Sequence, residues 1–356
     1  DLVILNKVYT LFIDSLDVQL SEEHRKHLKE ERHLSESEID RYVKERVYFT
    51  FPTKSVLNNF FKKLQENGLN KDILRTIPGF FYDYTKKNYS FTNIRGGGLG
   101  ISIKNEIGQI VAIQIRRNVL DKKEGVKSMR YIWFSSSFAD SYDNLDFGSS
   151  PGCPLNVIYP DSLIYKKGKP CKCIFITEGH FKAKAIAKVY NSIAISVQGV
   201  CSWYNVLNTI KRIRKLYSEY DLSYVYVAYD ADMGFNTDVF KQALYMGIAI
   251  VGNKNRIDDL EAKKIVKTFS DKDKIFYCIW DDDLGKGIDD LIYGGNPKID
   301  KLPLRVMCSH YKRFMEQLND IVLNGEYENI IKIPKDIKKE LYTQMILRTL
   351  PQYKCI

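Results

Sequence analysis

Between residues 170 and 295 the sequence alternates short apolar runs with amphipathic ones, and this alternation restricts the fold more than any other feature of the chain. CKCIFITEG, SIAISVQG, SYVYVAYD and KIFYCIWD read as strands. HFKAKAIAKVYN, YNVLNTIKRIRKLYSEY, VFKQALYMG and IDDLEAKKIVKTF read as helices between them. Apolar strands separated by helices of this length predict an α/β unit, a mainly parallel sheet with helices on both faces. In such a sheet, functional groups collect just beyond the carboxyl ends of the strands. Two of the runs end there in acid: Glu178 in IFITEGH, and Asp230 and Asp232 in VYVAYDAD.

A single carboxylate at a strand end is ordinarily a cap for the next helix. A pair at i and i+2 on an extended segment differs, because both side chains project to one side and place two hard oxygen donors together. Left unpaired, such neighbours raise one another's pKa, whereas a divalent cation stabilises both as carboxylates. Mg2+ (or Mn2+) suits one or two carboxylates, with water and phosphate completing its shell. Glu178, from another strand, is placed to join as a ligand or to serve as general base. WDDDLGKGIDDLIYGG adds Asp281, Asp282 and Asp283, which read as a solvated turn. One of Asp289 and Asp290 is expected to cap the helix that begins there, and an outer, metal-associated role is the sharper alternative.

Texture divides the chain into four stretches. Residues 1–75 form a helical N-terminal region, with Ser21 as an N-cap, Ser35 and Glu38 as a capping box, and Leu57, Phe60, Phe61 and Leu64 at helical spacing. Residues 76–169 are mixed α+β, with a hairpin in GGGLGISIKNEIGQIVAIQIRRN turning at Asn105 to Gly108, a short strand in RYIWFSSS, and a loop-rich GSSPGCPLNVIYP. Residues 170–298 carry the alternating pattern, and 299–356 return to helix.

The formal charge of +10 favours a polyanionic partner. Cations suited to phosphate stand at Arg116 and Arg117 on the hairpin, at Lys127 and Arg130, and at Lys182 and Lys184 in the first turns after Glu178. KRIRK, residues 211–215, reads first as a solvated helix face. Trp133, Trp203 and Tyr204 read first as core and second as base-stacking groups. The seven cysteines contain no CxxC pair, which argues against a zinc ribbon and fits reduced thiols. His24 and His27 share a helix face and read as surface residues rather than metal ligands. No run approaches the roughly 18 to 20 apolar residues of a membrane span, so the protein is expected to be cytoplasmic. A start at Asp1 rather than Met reads as a piece of something longer.

TEG at one strand end, DAD at a later one and Gly199 in SVQGV between them resemble the TOPRIM domain of bacterial-type primases, topoisomerases, OLD-family nucleases and RecR-like repair proteins. TEGHFKAKAIA, GVCSW, AYDAD with Asn236, and KGIDDLI are similar to the TOPRIM-like domain in replication proteins of phages, plasmids and integrative elements. Upstream, GLGISIKNEIGQIVAIQIRRN and RYIWFSSS resemble the subdomain that precedes TOPRIM in the DnaG-like primase catalytic core. The resemblance implies that Glu178 is the acid/base or metal-associated glutamate, that Asp230 and Asp232 hold the metal, and that Asp289 or Asp290 belongs to the supporting acids. It implies a primase that joins nucleoside triphosphates on a single-stranded DNA template in a basic groove, with a replicative helicase as a possible partner. Gly234 to Asp273 is longer than the pattern requires, and the missing zinc module leaves template choice to another domain or a partner. A metal-dependent nuclease using the same acids, and a non-catalytic DNA-binding replication or repair component, are the competing readings.

Overall fold

The computed structural model describes residues 1–53, 56–120, 128–166, 168–170, 172–268, 274–296 and 298–350. They fall into two compact units, Asp1–Pro154 and Leu155–Ile356.

The first unit runs α1 (Leu2–Asp14), α2 (Glu22–Glu30), α3 (Glu36–Lys44), β1 (Tyr48–Phe51), α4 (Leu57–Glu66), β2 (Phe80–Asp83), β3 (Asn88–Phe91), β4 (Gly98–Lys104), β5 (Ile110–Arg117), β6 (Tyr131–Trp133) and β7 (Leu145–Asp146). Ser21 caps α2, and Ser35 with Glu38 forms the capping box of α3. The strands make two antiparallel sheets, β1-β4-β5-β6 and β3-β2-β7. The hairpin turns at Asn105, whose side chain accepts from the N–H groups of Ile107 and Gln109. Phe12 of α1 lies at the centre of the core, with the rings of Phe60, Phe80, Phe91 and Phe134 all within 5.6 Å of its own. β1 lies in the stretch expected to be helical.

The second unit runs β8 (Asn156–Ile158), α5 (Asp161–Ile164), β9 (Cys173–Thr177), α6 (His180–Val189), β10 (Ile193–Ser196), α7 (Val206–Leu216), β11 (Tyr224–Val227), α8 (Thr237–Val251), α9 (Asp259–Thr268), β12 (Ile275–Ile279), α10 (Ile288–Tyr293), β13 (Asp300–Pro303), α11 (Leu304–Leu323) and α12 (Lys335–Thr349). Its sheet has the order β13-β12-β11-β9-β10-β8. The four central strands are parallel, and the two edge strands are antiparallel to them. Alternate residues serve opposite faces. Ile174, Ile176, Val225, Val227, Ile275 and Tyr277 meet α7, α8, α11 and α12, while Cys173, Phe175, Ala194 and Cys278 meet α6 and α10. The expected sheet with helices on both faces is therefore present, widened by β8 in the segment read as loop-rich and by β13 in the segment read as helical. Gly234 to Asp273 contains α8 and α9.

From β9 the chain goes through α6 to β10 on one side, then returns through α7 to β11 on the other. The crevice where connections diverge in opposite directions is where parallel sheets place ligands. Glu178 and Asp230 follow the two strands that border it.

Candidate functional site

Register brings the acids together. Val227 of β11 pairs with Ile176 of β9, so Glu178 and Asp230 leave the same edge of the sheet only one level apart. Glu178 Oε1 accepts from the N–H of Asp230 at 3.4 Å. Burial first, then the neighbouring charges of Asp230 and Asp232, raise the Glu178 carboxyl above its ordinary 4.5, against the opposing pull of Lys182 and that N–H.

Asp230 and Asp232 do not project from an extended segment as expected. Asp230 is the N-cap of a one-turn 3-10 helix over Ala231–Gly234. The turn is held from below by α12, since a Cβ on Gly234 would lie 1.9 Å from the Tyr342 ring. It is held laterally by the loop before α10, whose Lys286 carbonyl accepts from the N–H of Ala231 at 2.9 Å. That bond places the Lys286 ammonium 3.7 Å from Asp230 Oδ2 and 3.9 Å from Asp232 Oδ2. One cationic group thus addresses both carboxylates of the DxD pair.

Two more lysines enter. The Lys182 ammonium contacts Asp230 Oδ1, and Lys335 Nζ at the start of α12 lies 3.1 Å from Asp232 Oδ2. Burial alone would pull the Lys182 ammonium down, but Asp230 and Glu178 outweigh it and its pKa is raised. Sequence reasoning assigned Lys182 to phosphate; its partner in the structure is a carboxylate. Lys286 and Lys335 are not among the cations expected from the sequence. The GKG between two acidic runs was a signal for the first, whereas nothing near Lys335 in the chain ties it to Asp232.

The other acids divide. Asp290 is the capping residue, its Oδ2 accepting from the Gly287 N–H at 3.0 Å. Asp289 is buried, and a Cβ on Gly287 would lie 2.4 Å from Asp289 Oδ1 and 3.0 Å from Lys182 Cε, so a larger residue there would push one of these side chains aside. Among the described residues, Asp281, Asp282 and Asp283 are the one acidic triplet in which one carboxylate oxygen from each lies within 4.8 Å of the other two, a spacing consistent with a divalent metal. Asp281 also accepts from the Asp283 N–H at 3.0 Å, and Lys339 Nζ lies 2.5 Å from Asp282 Oδ1. Glu178, Asp230 and Asp232 are less tightly gathered, and ammonium groups contact both aspartates.

The remaining cations are dispersed. Arg116 is largely buried, 3.7 Å from Glu31. Arg117 donates to Ser128 Oγ at 3.4 Å, Arg130 is exposed, and Lys184 is half-buried on α6. Lys127 lies outside the described residues. In KRIRK, Arg214 donates to the Leu222 carbonyl at 2.9 Å. Trp203 is core, donating through Nε1 to Gln242, and Tyr204 is exposed beneath the Arg256 guanidinium. His24 and His27, expected on the surface, are buried. His24 bridges Thr50 and Asn118 at 2.9 Å each, and His27 Nδ1 sits 3.0 Å from Glu31. His24 is thus tied to Thr50 of β1, and a sequence with an unrecognised β1 gives no sign of that contact.

No family model and no curated protein matches the sequence. Solved structures do match. The E. coli primase catalytic core superposes with a TM-score of 0.54 at 14% identity, covering 97% of this chain and 96% of that one. The DnaG primase catalytic domain bound to ssDNA gives 0.53 at 14% identity, with 97% of each chain covered. The Aquifex aeolicus primase, comprising zinc-binding and RNA polymerase domains, gives 0.52 at 15% identity, covering 98% of this chain and 72% of that one. This chain has the fold of a DnaG-type primase catalytic core. At such identities the similarity is one of fold, and the primase-like core here carries acidic clusters compatible with a metal-dependent enzyme. Among the described residues no helix is long and apolar enough to cross a membrane.

Proposed function

We propose that the chain is a DNA-dependent primase, making short primers on single-stranded template by metal-dependent nucleotidyl transfer in the replication of a phage, plasmid or other mobile element. The reading is carried by the meeting of Glu178, Asp230 and Asp232 at the switch point of a primase-like sheet. The donor set fits a hard cation. All three donors are carboxylates, and the Lys286 ammonium already stands between the two aspartates as a cationic stand-in. Asp230 and Asp232 would hold Mg2+ or Mn2+, which when bound supplies neutralisation of triphosphate charge and Lewis acidity.

The side chains then have separable tasks. Glu178, whose proton affinity is lifted by burial, is suited to accept the proton of the attacking 3'-hydroxyl. Lys286 and Lys335, both exposed, turn from carboxylate to phosphate when a nucleoside triphosphate arrives. Asp290 keeps the α10 terminus in place, and Asp289 backs Lys182. Arg116, Arg117, Lys127, Arg130 and Lys184 are assigned to nucleic-acid or nucleotide phosphates. In-line displacement at phosphorus asks little beyond this positioning and charge neutralisation. The site of action is the cytoplasm, beside a replicative helicase.

Incubation with single-stranded template, labelled nucleotides and Mg2+ or Mn2+ tests the reading. Template-dependent oligomers should form with the wild type and vanish with Asp230→Ala. Shortened template would instead identify a nuclease, and template binding with neither product would identify a non-catalytic component.

A further inference from the structure

We propose that Lys182 is a resident cation that takes the place of a second metal ion and holds the site to one divalent ion. The inference rests on the metal role proposed for Asp230 and Asp232. Three ammonium groups share the site, and they are not equivalent. The side chains of Lys286 and Lys335 are 68% and 67% exposed, and an exposed pair exchanges readily with solvent or another anion. The Lys182 side chain is only 19% exposed, and its stem is packed against Gly287. Withdrawing it would strand the Asp230 carboxylate, itself 13% exposed, without its partner on that side.

The oxygen atoms divide accordingly. Lys182 takes Asp230 Oδ1, leaving Asp230 Oδ2 and Asp232 Oδ2 facing Lys286. Lys182 also lies in the field of Glu178 and Asp289, so on the Oδ1 side of Asp230 its ammonium supplies the positive charge that offsets three carboxylates. Asp230 Oδ2 and Asp232 Oδ2 would hold a divalent ion in place of the Lys286 and Lys335 ammoniums, leaving those two lysines for an incoming polyphosphate. A second ion on the Oδ1 side would have to displace a buried ammonium. Like-charge repulsion from Lys182 also weakens the first ion.

Mn2+ titration of the full chain without nucleotide, with free Mn2+ counted by electron paramagnetic resonance, tests this, and every chain titrated, the reference called wild type included, carries Asp282→Ala so that the 281–283 turn adds no ion to the count. The wild type should bind one ion per chain, and Asp232→Ala should lose it. Lys182→Met should gain a second ion or bind the first about tenfold more tightly. Lys182→Gln is the alternative neutral variant if the Met variant fails to fold, and Lys182→Arg should behave as the wild type. Two ions in the wild type, or one ion of unchanged affinity in a folded neutral variant, would overturn the proposal while leaving the metal site intact. An unchanged Asp232→Ala, or no ion in the wild type, would remove the metal reading itself and the proposal with it.

Discussion

The second unit carries two acidic clusters, built in opposite ways. Asp281, Asp282 and Asp283 are consecutive, and a single turn brings one oxygen from each within 4.8 Å of the other two. Glu178, Asp230 and Asp232 come from two strands, and sheet register brings them to one edge with lysines interleaved. The consecutive cluster is tighter, but Asp281 and Asp283 are exposed and Asp281 already caps its own turn. The convergent one is half-buried at the switch point, where a carboxylate has its ordinary proton affinity altered and a cation already sits between two donors. Density of acid along a chain and usefulness of acid at a site are therefore different properties. The second needs burial, which only tertiary structure provides.

Substitution should separate the clusters. Asp232→Ala is expected to reduce template-dependent synthesis by on the order of a hundredfold to a thousandfold with the fold retained, while Asp282→Ala stays within about twofold. The reverse ranking, measured as initial rates of primer formation, would move the active metal site to the 281–283 turn. Glu178→Gln should cost about a hundredfold in rate. Because the Glu178 pKa is raised, activity in the wild type should fall as pH drops toward that raised value, at a pH higher than an ordinary carboxylate would give. Stability runs the other way. A carboxyl with a raised folded pKa contributes its stability below the unfolded value of 4.5 and loses it as pH rises through the folded value. Gln is neutral throughout, so Glu178→Gln should melt higher than the wild type at pH 7.5. An inactive variant that melts lower would mean that Glu178 is held mainly by its attraction to Lys182.

These contrasts track what could be read from the chain. Ser35 and Glu38 announced the start of α3 because capping is local chemistry within four residues. Apolar runs ending in acid announced β9 and β11 because a buried parallel strand is apolar on both faces. Strands β8 and β13, at three and four residues, are too short to show a period, and each is fixed by pairing with a distant strand. The DxD spacing was legible, but its 3-10 turn was not. That turn depends on Tyr342 beneath Gly234 and on the Lys286 carbonyl, from segments remote in sequence. The lysines that interleave with the acids escaped for the same reason, since Lys335 reaches Asp232 across 103 positions.

Helix α12 allows the finest test, because one of its faces serves both clusters. Lys335 lies 3.1 Å from Asp232 Oδ2, and Lys339, one turn later, lies 3.4 Å from Asp283 Oδ1 and closer still to Asp282. Residues four apart on a helix share a face, so the two lysines point the same way, although Lys335 is 67% exposed and Lys339 37%, and they meet different acids. Both are solvated arms whose removal should barely affect folding, with melting temperatures within about 2 °C of the wild type. If only the convergent cluster meets nucleotide, Lys335→Met should raise KM for nucleoside triphosphates roughly threefold to tenfold at little cost in kcat, because a phosphate contact is lost and the reacting atoms are untouched. Lys339→Met should leave both constants unchanged. Equal rises in KM would show that nucleotide senses the summed positive charge of α12, in which case 0.5 M salt should abolish the difference from the wild type in both variants.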